Sequence, residues 1–497
     1  MKRNISDLHI GFLNPQGNFD PRDSYWTEHP DFGGQLVYVK EISLAMAKMG
    51  VKVDILTRQI IDNNWPEFRA KIDYYPGCEN VRILRLPFGG NKFLPKEQLW
   101  PHLRIYVEEI IDFYQQEGSF PDAFTSHYGD GGLAGVMLAE REKIPFTFTA
   151  HSLGAQKMDK LNNKDADFEQ LNQRFNFDKR IIAERLAMDR AGKIIVSTDQ
   201  ERQEQYGHKL YQGAVNVSNR DKFTVIPPGV NTEIFNGKYR PSTARKIDNY
   251  LTRDLRKERI EFPAIISSSR LDQKKNHEKL VKAYAGNNRL QKKANLVITL
   301  RGIENPFQSY EQANKEEKYI LDRITKIIYN HDLEGKISMF PLQSQQELAE
   351  FYGFMAEKKS VFTLTSFYEP FGLAPVEAMS AGLPAVVTNR GGPTEIMENG
   401  KYGILVNPEN SGDIARGLLQ MLKNSNWEKY HRLGRERVIN YYTWQQAASG
   451  YLDVIKKLKK PTEKNCNLPL PDYYLNPAPK NEENLKRAFL YLLEKRI

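Results

Sequence analysis

Short apolar strands alternate with amphipathic helices along nearly the whole chain, and they do so in two separate series. The first series predicts strands at residues 8–13, 51–56, 81–86, 123–126, 146–149 and 193–197. Between its first two strands, residues 34–50 read as a helix, with Gly50 placed as the residue just past its end. The second series begins after Ile226-Pro-Pro-Gly-Val230, a stiff linker. It predicts strands at 264–267, 296–300, 336–340, 361–364, 385–388 and 403–406. Strand–helix alternation implies a parallel sheet covered on both faces. The expected class is therefore α/β: two doubly wound, Rossmann-like domains facing a cleft. The boundaries are 1–229 for the first domain, 230–445 for the second, and 446–497 for a C-terminal helical segment. A Pro-rich stretch, 468–479, precedes a last helix near 481–495, which is expected to cross back and pack on the first domain.

A chain of 497 residues has ample core for such an arrangement. Its 71 Lys and Arg against 62 Asp and Glu leave a net charge of +9, spread without a basic block. That pattern suits anionic small molecules and argues against a nucleic-acid partner. Cys78 and Cys466 are the only cysteines, too few for a disulfide framework or a thiolate zinc site. No 18-residue apolar run and no apolar leader core occurs, so a cytoplasmic protein without membrane contact is expected.

The chemistry concentrates in Glu369-Pro-Phe-Gly-Leu-Ala-Pro-Val-Glu377. Strand 361–364 leads into it and a helix follows. Glu369 thus falls at a strand's C-terminal end, where ligands bind in such sheets, and Glu377 about one turn into the helix. The N–H groups of Phe371, Gly372, Leu373 and Ala374 would be open donors that favour phosphate. The two carboxylates would accept from sugar hydroxyls. The segment Ser267-Ser-Ser-Arg270-Leu-Asp-Gln-Lys-Lys275 also follows a strand. Arg270 supplies a planar fork and Lys275 a point charge, each phosphate contact contributing roughly 1.5–3 kcal/mol. Gly33 and Gly34 sit between strand and helix, where a ligand can approach the backbone. No G-x-G-x-x-G occurs there, which discounts NAD. His151, in Ala150-His151-Ser152-Leu-Gly154, is open to either an acid/base role or a hydrogen-bonding one. Lys96, Lys157, Lys179 and Arg180 are basic residues that could face the cleft. Asp165-Ala-Asp167 matches a metal-binding D-x-D pattern but lacks a preceding strand, and is read as a solvated loop; no metal site is expected.

Glu369 to Glu377 resembles the E-x7-E signature of retaining GT-B glycosyltransferases. Asn14-Pro-Gln-Gly, Gly33-Gly34-Gln35, His127-Tyr128-Gly-Asp130, Ala150-His151-Ser152-Leu-Gly154 and Ser269-Arg270-Leu-Asp-Gln-Lys-Lys275 are similar to those of sucrose-phosphate synthases, especially short bacterial ones. The likeness covers nearly the whole chain; sucrose synthases share much of it. It implies that Gly33, Gly34, Arg270 and Lys275 hold a donor diphosphate. Glu369 would grip glucose and Glu377 the ribose. Phe371, Gly372, Leu373 and Ala374 would supply backbone contacts, and Leu342 would meet the base through its backbone. Gln35, Lys96, Tyr128, Asp130, Ser152, Lys157, Lys179 and Arg180 would hold fructose 6-phosphate. Arg270, Lys275, Glu369 and His151 are the catalytic candidates. Ala150 stands where many members carry Gly, and the long regulatory and phosphatase-like extensions of plant members are not expected.

The implied reaction transfers glucose from UDP-glucose, or ADP-glucose as the alternative donor, to fructose 6-phosphate. No cofactor and no metal is implied, and a separate sucrose-phosphate phosphatase is an implied partner. Two other readings stand beside it: a sucrose synthase using free fructose, and a non-catalytic sugar-nucleotide-binding protein.

Overall fold

The computed structural model describes residues 4–25, 33–161, 168–461 and 467–495. The chain divides into two compact units, Met1–Ile226 with Ala447–Ile497, and Pro227–Gln446. The D-x-D pair, Asp165 and Asp167, lies outside the described residues.

The first unit is built on eight strands: β1 His9–Leu13, β2 Lys52–Arg58, β3 Ile72–Tyr75, β4 Cys78–Leu86, β5 Ala123–His127, β6 Phe146–Thr149, β7 Lys193–Val196 and β8 Phe223–Val225. Their spatial order is β3-β4-β2-β1-β5-β6-β7-β8. All neighbours pair in parallel except β3 with β4. The central strands are buried along their length, β5 including Thr125, Ser126 and His127, as strands covered on both faces must be. The antiparallel edge departs from the purely parallel expectation. Pro76-Gly77 turns the chain there, with Gly77 at φ +70°, and a two-residue turn can return a strand beside its neighbour only in antiparallel sense. β8 was hidden by its shortness and by the proline linker directly after it.

The order reverses beside β1, whose two neighbours are β2 and β5. Connections leaving β1 and β5 therefore part to opposite faces, and a crevice opens outside their C-terminal ends. Residues 447–495 complete this unit. Tyr451 hydrogen-bonds Tyr38 (3.0 Å) and Thr149 (2.8 Å). Tyr474 donates to the Lys179 carbonyl (2.5 Å). On the C-terminal helix, Pro479–Glu494, Phe489 is fully buried and stacks on Phe168.

The second unit holds six strands: β9 Ala264–Ser268, β10 Asn295–Leu300, β11 Ile337–Pro341, β12 Val361–Leu364, β13 Ala385–Thr388 and β14 Ile404–Val406. All pair in parallel, in the order β11-β10-β9-β12-β13-β14. The order here reverses between β9 and β12, so the loops after those two strands flank its crevice. Among the described residues no helix is long and apolar enough to cross a membrane.

Asp54, buried in β2, anchors one side of the first sheet. It accepts from both Arg82 nitrogens (2.7 and 2.9 Å), from His9 (2.6 Å) and from Tyr114 (2.8 Å). Burial alone would raise its pKa, but the Arg82 and His9 hydrogen bonds win and hold it at about 2. Asp54→Asn should destabilise this unit by ~1–3 kcal/mol, because the buried acceptor shared by Arg82, His9 and Tyr114 loses its charge while Arg82 keeps its pairing with Glu117 (2.7 Å), and the shift of the denaturant midpoint measures it. The folded pKa lies below the unfolded one. The stabilisation should thus be complete above about pH 4 and fade as pH falls toward 2, a loss absent from the variant.

Candidate active site

In the second unit, the two loops at the reversal point are knitted into one surface. Asp272 caps a short turn by accepting from the Lys275 N–H (3.1 Å). Asn276, left-handed at φ +59°, donates to the carbonyls of Thr365 (3.0 Å) and Pro408 (2.8 Å), and Phe367 N–H donates to Lys274 (2.9 Å). Buried His277 touches Ser267, Ser269 and the Arg270 carbonyl at 3.1–3.3 Å, which fixes the turn from which Arg270 projects. The Arg270 side chain itself is 73% exposed. Lys275 Nζ lies 2.6 Å from Glu369, whose carboxylate also accepts from Ser366 (3.3 Å).

After Glu369 the chain turns through Gly372, at φ +104°, into the helix Leu373–Ser380. No side chain caps this helix, and the N–H groups of Phe371, Gly372, Leu373 and Ala374 donate to no described residue. Pro375 has no N–H, so the row of donors ends at Ala374. Glu377 sits one turn in. Burial pushes its carboxyl up to about 7, with only the Gln345 amide opposing. Leu342 follows β11. Its N–H is taken by the Leu300 carbonyl (3.3 Å).

In the first unit, the β1–β5 crevice brings together Gln16, Tyr128 and Asp130. Asp130 is buried and accepts from Gly131 N–H (2.7 Å) and Gln16 (3.3 Å). Burial pushes its carboxyl up to about 7. Gln35 donates to Asn14, at the end of β1. Arg180, on the helix Phe177–Arg190, lies over the Tyr128 ring (4.3 Å) and donates through Nη2 to the Ser152 carbonyl (2.7 Å). Its Nη1 makes no hydrogen bond to a described residue. Lys179 is bound by Glu482 (2.8 Å) and Asn176 (2.7 Å). Asn176 also donates to the Glu97 carbonyl (2.9 Å), which draws the Lys96 turn to this helix. Lys157 lies over Phe175 (4.1 Å). His151 is left-handed at φ +56°, and its Nε2 meets His127 Nδ1 at 2.8 Å. Burial holds His151 at about 3, so its ring is neutral near pH 7.

Gly33 and Gly34 begin the helix Gly34–Lys48. Gly33 has φ −117°, and a Cβ added to either glycine would meet no described residue within 4 Å.

At the reversal point of the second unit Lys275 meets Glu369, and at that of the first Gln16 meets Asp130, whereas Leu342 follows the edge strand β11 and Ser152, Lys157, Lys179 and Arg180 follow β6. Several partners were not legible in the sequence: His277, Asn276, Asn176, Glu184 and the pair Gly391-Gly392. A Gly-Gly pair in the loop after strand β13 was the signal for the last.

Residues 8–250 match the model of the sucrose synthase first GT-B domain, and residues 253–437 that of glycosyl transferases group 1. The chain is 47% identical to a probable sucrose-phosphate synthase of Thermosipho melanesiensis, over 90% of this chain and 97% of that protein. It is 31% identical to probable sucrose-phosphate synthase 2 of Arabidopsis thaliana, over 91% of this chain but 48% of that protein, so it spans about half the length of this plant relative. Its fold is GT-B. The solved sucrose-phosphate synthase of Thermosynechococcus elongatus aligns over 91% of this chain and 99% of its own, with TM-score 0.64 and 23% identity. Anabaena HepE in complex with UDP and glucose aligns over 90% and 99%, with TM-score 0.57 and 16% identity.

The seat of Glu369 can be tested directly. Gly391 pairs with Glu369, has φ +89°, and a Cβ there would lie 2.1 Å from the Glu369 carbonyl. Gly391→Ala should destabilise the second unit by at least ~2 kcal/mol and displace Glu369, measured by thermal melting and a crystal structure of the variant.

Proposed function

The chain belongs to the sucrose-phosphate synthase family of glycosyltransferases, and from that premise we propose that it transfers glucose from UDP-glucose to fructose 6-phosphate, with retention at the anomeric carbon, giving sucrose 6-phosphate and UDP. The observation that carries the donor half is the convergence at one sheet edge of Arg270, Lys275, Glu369, Glu377 and the open N–H groups of residues 371–374. Phosphate requires cations and open donors, whereas glucose and ribose hydroxyls require acceptors. This edge holds both.

Arg270, Lys275 and the helix N-terminus take up charge as it grows on the departing UDP. They therefore act most strongly in the transition state. Lys275, which is paired with Glu369, exchanges that partner for a diphosphate oxygen. Glu369 is then left to accept from the glucose hydroxyls, and Glu377 accepts from the ribose. Gly33 and Gly34 let the backbone approach the diphosphate. The retained configuration follows from attack on the face the UDP leaves, with a phosphate oxygen receiving the acceptor proton, so no side chain is assigned as nucleophile. His151, neutral, serves as a hydrogen-bonding group beside the reacting sugar.

The acceptor half rests on Arg180. Its guanidinium is fixed on three sides and its Nη1 makes no hydrogen bond to a described residue, which leaves a donor for a phosphate oxygen. Lys157 on the neighbouring helix supplies a second charge, and Tyr128, Ser152, Gln35, Asp130, Lys96 and Lys179 shape the remainder. The match of residues 8–250 to a sucrose synthase domain makes free fructose the acceptor to test against.

UDP release measured with fructose 6-phosphate and fructose side by side, each with UDP-glucose and ADP-glucose, checks the reading. Fructose 6-phosphate with UDP-glucose should turn over fastest; equal or faster turnover with fructose would sink it. Lys157→Ala should raise KM for fructose 6-phosphate at least about tenfold and leave KM for UDP-glucose nearly unchanged. Glu377 yields a pH dependence. With its pKa raised to about 7, it protonates as pH falls below that value and loses its acceptor form. UDP-glucose affinity, measured calorimetrically, should weaken toward tenfold per pH unit below about 7, and Glu377→Gln should flatten the profile.

A further inference from the structure

The first unit contains a carboxylate that can touch no ligand yet is bonded to the parts assigned to the acceptor. Glu184 lies one turn beyond Arg180 on the same helix, and none of its side chain reaches solvent. Its Oε1 accepts from Arg180 Nε (2.8 Å). Both oxygens accept from the Gly154 N–H, at 3.0 Å each. Oε2 also accepts from the Tyr211 hydroxyl. The carboxylate faces no open space.

Each of these bonds sets something. The Nε bond, the Nη2 bonds to Ser152 (2.7 Å to its carbonyl, 3.4 Å to its hydroxyl) and the Tyr128 ring fix the Arg180 guanidinium in one plane. They leave Nη1 without a hydrogen bond to a described residue. Gly154 begins the helix Gly154–Leu161, which carries Lys157 one turn on. Tyr211, held by Glu184, accepts the Ala155 N–H as well (3.1 Å). One carboxylate thus determines how Arg180 is turned and where the Lys157 helix starts.

The surroundings leave room for this arrangement. A Cβ at Gly154 would lie 3.2 Å from Glu184 Oε2 and 3.2 Å from Arg180 Cδ. A Cβ at Gly129, in the first turn of the helix Tyr128–Glu142, would lie 3.3 Å from Glu184 Cγ. The first turns of two separate helices carry no side chain where the pair sits.

We propose that Glu184, assisted by Tyr211, is the positioning residue that aims Arg180 and Lys157 at the phosphate of the acceptor. This rests on the reading of the first unit as a sugar-phosphate site. A purely structural ion pair would be expected to affect both substrates alike when broken. A positioning residue affects the phosphorylated acceptor alone.

The test uses the full-length enzyme and the variants Glu184→Gln and Tyr211→Phe. Glu184→Gln keeps an acceptor for Arg180 but turns an N–H₂ group toward Gly154 or Tyr211. KM for fructose 6-phosphate should rise at least about tenfold while KM for UDP-glucose stays within about twofold. Tyr211→Phe should move KM in the same direction by about threefold, since only the hydroxyl is lost. Equal shifts in both KM values, or a fructose 6-phosphate KM within about twofold of wild type, would overturn the proposal. If Glu184→Gln fails to fold, Tyr211→Phe decides by the same criterion. Calorimetric titration with inorganic phosphate separates this proposal from the broader reading. Should the wild type prefer free fructose, the acceptor assignment falls. Weaker phosphate binding in Glu184→Gln would still support the arrangement, and equal or absent phosphate binding in both proteins would overturn it.

Discussion

Parallel pairing governs where everything else in this protein can go. Two parallel neighbours cannot be joined by a tight turn, so each connection must cross a face of the sheet and re-enter from the opposite edge. All loops leaving the parallel strands therefore gather at one edge. Where the order reverses, two such loops diverge and leave a crevice. In the first unit this happens beside β1, and Gln16, Tyr128 and Asp130 are found there. In the second it happens between β9 and β12, and the loops carrying Arg270, Lys275 and Glu369 meet there. Side chains far apart in sequence are brought together by topology before any specific contact forms.

The same units keep their site charges compensated. Lys275 is paired with Glu369, Arg180 with Glu184, and Lys179 with Glu482. A half-buried cation left alone is costly, and it also turns freely. A carboxylate beside it answers both problems. The three pairs differ in one respect. Glu369 keeps some exposure at the sheet edge, 15% of its side chain. Glu184 is enclosed and cannot exchange partners, so it can only hold.

The sheets were legible in the sequence because strands buried on both faces read as apolar runs bounded by turns. The parts proposed for the donor site could be picked out because they lie in two short linear segments, 267–276 and 369–377. What escaped had a different physical origin. β3 is half-exposed and belongs to a tight hairpin, so it lacks the apolar signature of the central strands. His277, Asn276 and Asn176 act through hydrogen bonds to backbone carbonyls or side chains placed by the fold, and nothing in their spacing announces them. Glu184 reads as one more acid on a helix until Gly154 and Tyr211 are seen against it. His151 was open between two roles from sequence; its contact with His127 and its burial decide which protonation state it holds.

The second unit is one continuous stretch of chain, but the first is not. Its core includes Tyr473, Tyr474, Leu485 and Phe489 together with residues from the beginning of the chain. During synthesis from the N-terminus, residues up to 226 emerge early yet lack part of their core. The contiguous second unit can finish while the first still waits. The usual order, in which the N-terminal domain folds first, is therefore reversed for completion. The apolar surface that Tyr474 and Phe489 eventually cover is exposed for as long as the ribosome takes to deliver them.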